Sequence, residues 1–134
     1  MRIALNKPIR PSVKELTGKL KEAQELLSKK EGLFVDPGKI VGELNALGIG
    51  DSKEVWELIK TILPEIKTED YTGGKPPQKS YEKTIEGKEL FAFSWECKHL
   101  GKKIYLKFAI KGDRFIYVSL HEDRPQHPTK GRLQ

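Results

Sequence analysis

The chain has little with which to staple itself, span a membrane or chelate a metal. One cysteine, Cys97, in 134 residues excludes an internal disulfide and suits a reducing compartment. No apolar run approaches the roughly 18 residues that a membrane helix needs, and the first residues lack a hydrophobic signal core. A soluble, cytoplasmic protein with no membrane partner is therefore expected. Histidine is scarce: His99, His121 and His127, taken with Cys97, follow no standard zinc spacing, so neither a metal nor another cofactor is expected. Gly73-Gly74 follows no strand and opens no helix, which excludes a phosphate-cradling nucleotide loop. No serine or cysteine nucleophile motif appears, and no internal repeat.

Apolar residues make up only 37% of the chain and charged ones 33%, but the apolar ones recur with regular periods. That order predicts a folded protein with a charged surface, and the length fits a single domain over 1–134. The net charge of +6 is segregated. Basic side chains outnumber acidic ones in residues 1–30 and 72–134, and acidic ones dominate 31–71. A segregated basic face favours nucleic acid as a partner over evenly spread solubilising charge.

Residues 1–11 read as a basic lead-in interrupted by Pro8 and Pro11. Ser12 with Glu15 three residues on is a capping box, and Val13, Leu16, Leu20, Ala23 and Leu27 form one helical stripe. Asp36-Pro37 opens a second helix carrying Ile40, Val41, Leu44 and Leu47, which Gly48 ends. Asp51 and Glu54 open a third with a wide apolar face, including a core-packing Trp56, which Pro64 disturbs. The helical part thus spans 12–71. Thr72–Lys79 reads as a loop. Strands follow over Tyr81–Ile85, Leu90–Cys97, Ile104–Lys111 and Phe115–His121, in a sheet region of 81–124, before a flexible tail at 125–134. Tight turns between successive strands require antiparallel pairing. The expected architecture is α+β: N-terminal helices followed by a four-stranded antiparallel sheet.

The last two strands carry the candidate chemistry. Strand residues alternate between faces, so Ile104, Leu106, Phe108 and Ile110 face a core, while Lys103, Tyr105, Lys107 and Lys111 share the other side. In the next strand Ile116, Val118 and Leu120 alternate with Phe115, Tyr117, Ser119 and His121. A two-residue Gly112-Asp113 loop sets Lys107 opposite Val118 and mixes the faces. An odd loop of about three residues instead pairs Leu106 with Leu120 or Val118, and Tyr105 with His121 or Ser119. The odd loop is expected. It gathers Lys103, Tyr105, Lys107, Ser119 and His121 on one surface.

Such a surface has the parts of a metal-independent ribonuclease. Histidine titrates near neutrality, so His121 can serve as acid or base toward a ribose 2′-hydroxyl and a departing 5′-oxygen. Lys103, Lys107, Arg114 and Arg124 can hold phosphate or stabilise the phosphorane. Tyr105 or Tyr117 can stack on a base or assist proton transfer. The same residues serve equally in a non-catalytic nucleic-acid-binding module. A phage or bacterial protein-interaction factor, docking partners on its acidic helices and basic sheet, is the third alternative.

Three segments, Val55–Leu63 with the residues to Tyr71, Ile104-Tyr105-Leu106-Lys107 and Val118-Ser119-Leu120-His121-Glu122, together resemble the motility quorum-sensing regulator toxins, RNA-cleaving members of the RelE-like ribonuclease superfamily. Val55–Leu63 with Pro64-Glu65 and Glu69-Asp70-Tyr71 is similar to that family's helix and Asp-Phe-Tyr-Lys segment. Ile104-Tyr105-Leu106-Lys107 is similar to its Val-Tyr-Leu-Lys strand, and Val118-Ser119-Leu120-His121-Glu122 to its Val-Ser-Phe-Lys-Glu end. The resemblance covers about residues 33–124. It implies a RelE-like toxin fold and an mRNA interferase acting on RNA, on the ribosome or free, restrained by a cognate antitoxin. It places Tyr105 on the catalytic tyrosine and His121 on the terminal catalytic lysine. Tyr71 falls on the tyrosine before the first catalytic lysine; Thr72 occupies that lysine's place and Lys75 stands nearby.

Overall fold

Each helix starts where a side-chain cap satisfies a free backbone N–H. In the computed structural model, which describes residues 9–123, the Ser12 hydroxyl accepts from Glu15 N at 3.0 Å and opens α1 (Val13–Lys29). Leu16, Leu20, Ala23 and Leu27 are buried along α1, whereas Val13, at the head of the expected stripe, is exposed. Asp36 and Asp51 cap α2 (Pro37–Ala46) and α3 (Ser52–Ile62) by accepting from Gly38 N and Lys53 N. The reciprocal arms of the capping boxes are diverted: Glu15 engages Arg10, and Glu54 accepts from Gly50 N. Gly48, at φ 77°, takes the left-handed conformation that ends α2. Residues 1–8 of the expected lead-in (1–11), and Arg124 with the whole expected tail (125–134), lie outside the described residues.

The sheet is mixed, which corrects the expectation of an all-antiparallel one. Its strands are β1 (Leu33–Phe34), β2 (Phe91–Cys97), β3 (Lys102–Lys111) and β4 (Arg114–Glu122), in the order β1-β4-β3-β2. β2, β3 and β4 form the expected antiparallel meander, and β1 pairs parallel to the free edge of β4. Two residues are too few to display a period, so β1 is invisible to pattern reading. Tyr81–Ile85 is not a strand. Lys83–Ile85 is a 3-10 turn that drives Ile85 beneath the sheet, while Tyr81 stays in solvent.

The hairpin differs from expectation in its means and agrees in its result. Lys111 pairs with Arg114, so the loop is the two-residue Gly112-Asp113, with Gly112 at φ 61°. The odd residue enters further along. Lys107 pairs with Ser119 and Phe108 with Tyr117, leaving Val118 as a β-bulge. Beyond the bulge Leu106 faces Leu120 and Tyr105 faces His121.

The three helices cover one sheet face. There the main core joins α1 and α3 to Phe93, Leu106, Phe108, Phe115, Tyr117 and Leu120. Trp56 lies in this core as expected, stacked on Phe34 with ring centroids 4.8 Å apart. The other face is divided. Near the Gly112 turn a smaller cluster of Val35, Ile85, Ala109 and Ile116 covers it. The half nearer His121 is open.

Candidate functional site

The open half-face takes its geometry from the register past the bulge. Tyr105 and His121, cross-strand partners, stack with ring centroids 5.0 Å apart and planes 22° from parallel. Lys107, two residues along the same strand face, holds its ammonium 6.0 Å from the Tyr105 ring centroid. His121 Nδ1 lies 2.9 Å from the Glu122 carbonyl oxygen. A carbonyl only accepts, so this contact requires a proton on Nδ1, and neutral His121 then offers Nε2 as a base. A backbone carbonyl thus orients the His121 ring.

Asp123 closes one end of the face. Its backbone N–H donates to the Lys103 carbonyl at 2.9 Å, and its carboxylate accepts a hydrogen bond from the Ser94 hydroxyl on β2. Burial pushes the Tyr105 phenol pKa up, and the Asp123 charge adds to the rise. Tyr105 therefore keeps its proton at neutral pH and acts as a hydrogen-bond donor. Ser94 carried no motif and became visible only through its cross-strand pairing with Tyr105 and its hydrogen bond to Asp123.

A groove runs along this face, walled by the segment between the helices and β2. One cavity of about 300 Å³ is lined by Thr72, Gly73, Gly74, Ala92, Tyr105 and Lys107, among others. A second, of about 720 Å³, is lined by Lys79, Tyr81, Glu82, Val118 and again Lys107. Gln78 and Leu90 also line both, so the two cavities adjoin.

Other candidates lie elsewhere. Tyr117 is fully buried beneath the helices, because the bulge leaves it on the core face; its hydroxyl donates to Glu43 at 2.7 Å. It has no access to a bound phosphate or base. Arg114 sits at the turn end of β4, remote from His121, and donates twice to the Glu31 carbonyl at 2.9 and 3.1 Å. Tyr71 packs edge-on against Phe93 and donates its hydroxyl to the Gly74 carbonyl, which shapes the groove wall without facing the groove floor. Lys75 stands exposed on that wall loop, and Lys103 is exposed on the open face opposite Glu96. Arg124 lies outside the described residues.

Glu43, from α2, is a residue that pattern reading passed over. Its carboxylate accepts from Tyr117 and Ser119 hydroxyls and from Leu120 N at 2.7, 2.6 and 3.0 Å. It thereby caps the stretch of the β4 edge that the short β1 leaves unpaired, and it draws the Ser119 hydroxyl away from the open face.

Among the described residues no three His, Cys, Asp or Glu side chains are placed to share a metal ion. No helix among them is long and apolar enough to cross a membrane. Comparison with known protein families, curated proteins and solved structures gives no match.

Proposed function

We propose that this chain is a metal-independent endoribonuclease, an mRNA interferase toxin of RelE-like fold held in check by a cognate antitoxin. The observation that carries the reading is the stacked Tyr105–His121 pair beside Lys107, on an open sheet face where Tyr105 and Lys107 line a groove. His121 Nε2 takes the proton of a ribose 2′-hydroxyl, and the 2′-oxygen attacks the adjacent phosphorus. Lys107 neutralises charge on the phosphorane oxygens. Tyr105, held protonated, donates toward the departing 5′-oxygen as its bond to phosphorus breaks. The products are a 2′,3′-cyclic phosphate and a 5′-hydroxyl. The substrate is single-stranded RNA, whose unstacked bases and exposed backbone fit an open groove better than a duplex does.

The test is cleavage of end-labelled single-stranded RNA in EDTA, with and without ribosomes. The wild type is expected to leave cyclic-phosphate ends, and His121→Ala to lose about 10²–10⁴-fold in rate while still binding RNA. Salt-sensitive binding without cleavage under either condition would replace this reading with that of a non-catalytic RNA-binding module.

A further inference from the structure

We infer that the 720 Å³ end of the groove is a nucleotide subsite, in which one RNA base stacks on Tyr81 while Lys79 and Lys107 hold its phosphate. The inference rests on the ribonuclease reading and extends it from the reacting phosphate to a neighbouring nucleotide. Tyr81 is 94% exposed, more than any other large hydrophobic side chain among the described residues. An aromatic ring left in water on a mobile tip needs no explanation, but Tyr81 is on a pinned one. Buried Ser80, beside it, donates its N–H to the Lys88 carbonyl and accepts from Gly87 N, both at 2.9 Å. The Ser80 hydroxyl accepts from Glu82 N at 3.0 Å, which fixes the backbone on the other side. Ile85, anchored in the smaller core, ties the whole turn to the sheet. The fold therefore holds the Tyr81 ring at the rim of the groove.

The chemistry of that rim selects the ligand. Its lining carries two cations, Lys79 and Lys107, against one carboxylate, Glu82. Cations beside an exposed aromatic face suit a nucleotide, whose phosphate and base need one of each. The volume falls within the roughly 300–1,000 Å³ of small-ligand sites. Lys107 lines both cavities, so a strand with its scissile phosphate beside Tyr105 runs past Lys107 toward Tyr81. Stacking accepts any base, so this subsite adds affinity without sequence preference.

The test uses 2′-O-methyl RNA oligonucleotides of mixed sequence carrying 2-aminopurine, whose fluorescence is quenched on stacking, with wild type, Tyr81→Phe and Tyr81→Ala. Tyr81→Ala is expected to weaken binding about tenfold and abolish the quenching, while Tyr81→Phe stays within about twofold of wild type. With cleavable RNA, KM rises in Tyr81→Ala and kcat is unchanged. Equal RNA affinity in wild type and Tyr81→Ala overturns the subsite, and with it RNA as the occupant in favour of a protein, while leaving the ribonuclease reading intact. Tyr81-dependent binding without cleavage supports the subsite and sinks the ribonuclease. No RNA binding by the wild type overturns the subsite, and absence of cleavage with ribosomes as well sinks the ribonuclease.

Discussion

Tyr105 and Tyr117 lie on opposite faces of one hairpin and keep their protons for different reasons. Tyr117 is desolvated beneath the helices, and its hydrogen bond to the Glu43 carboxylate raises its pKa further. Tyr105 is desolvated on the open face and feels Asp123. Removing each hydroxyl should therefore have opposite consequences. Tyr117→Phe is expected to cost about 1 kcal/mol in urea unfolding, the net value of one hydrogen bond, and to leave RNA turnover unchanged. Tyr105→Phe should stay within about 0.5 kcal/mol of wild type in stability and lose about 10²-fold in cleavage rate. Glu43→Ala removes the acceptor of three donors at once and is expected to cost more, about 2–3 kcal/mol. Equal turnover in the two tyrosine variants would remove Tyr105 from the chemistry.

At the scale of the element, the bulge at Val118 decides which side chains share a face. Tyr117 points to the helices, Val118 packs against the smaller core on the other face, and Leu120 points to the helices again. Val118 is thus an extra residue, and its deletion restores plain alternation from Tyr117 to Ser119 without turning His121 over. Val118 deletion is expected to cost only about 1–2 kcal/mol, for the loss of a partly buried valine, and to preserve the Tyr105–His121 ring contact in nuclear Overhauser spectra. Deleting Ile116 instead moves Tyr117 out of the main core and should cost at least about 4 kcal/mol. Comparable losses in the two deletions would contradict the assigned faces. The same bulge explains what the sequence reveals and what it hides. β2 and β3 alternate cleanly, and their faces are legible residue by residue. In β4 both faces near the turn are apolar, because Ile85 and Val35 cover the outer one, so plain alternation puts Ile116 and Val118 with Leu120 in the core and Phe115 and Tyr117 with His121, and the structure reverses all four. Requiring one consistent core face narrowed the partner of Tyr105 to His121 or Ser119, but the bulge that selects His121 left no mark in the pattern. β1 is too short for a period, and Glu43 serves the β4 edge from a distant helix, so neither carries a local signal.

Over the whole molecule, carboxylates tie together elements far apart in sequence. Arg10 bridges Glu15 at the start of α1 and Glu89 just before β2. Glu65, just after α3, accepts from Lys98 N at 2.8 Å, His99 N at 3.1 Å and Trp95 Nε1 at 3.2 Å, and so clamps the turn between β2 and β3 to the helical layer. Hydrogen bonds to Arg10 hold the Glu15 and Glu89 carboxyls below the ordinary carboxylate range. For Glu65, desolvation pushes upward but is outweighed by the backbone N–H groups of Lys98 and His99 and by Trp95, so its pKa also falls. A folded-state pKa lower than the unfolded one means that the unfolded chain binds protons first on acidification. The stability these carboxylates supply is thus fully present above their ordinary value of 4.5, and it is lost as pH falls through the depressed folded values. Urea unfolding of the wild type should accordingly weaken below about pH 4.5. Glu65→Gln keeps the outline of the clamp and removes one titrating group, but its amide nitrogen only donates, so one oxygen's acceptance is lost and the other's is weakened; it should be less stable by about 2 kcal/mol near neutrality. Its deficit should then shrink as the pH falls, because protonated Glu65 in the wild type comes to resemble glutamine. A deficit independent of pH would mean that Glu65 acts through packing alone, and that the helical layer and the sheet are joined without help from its charge.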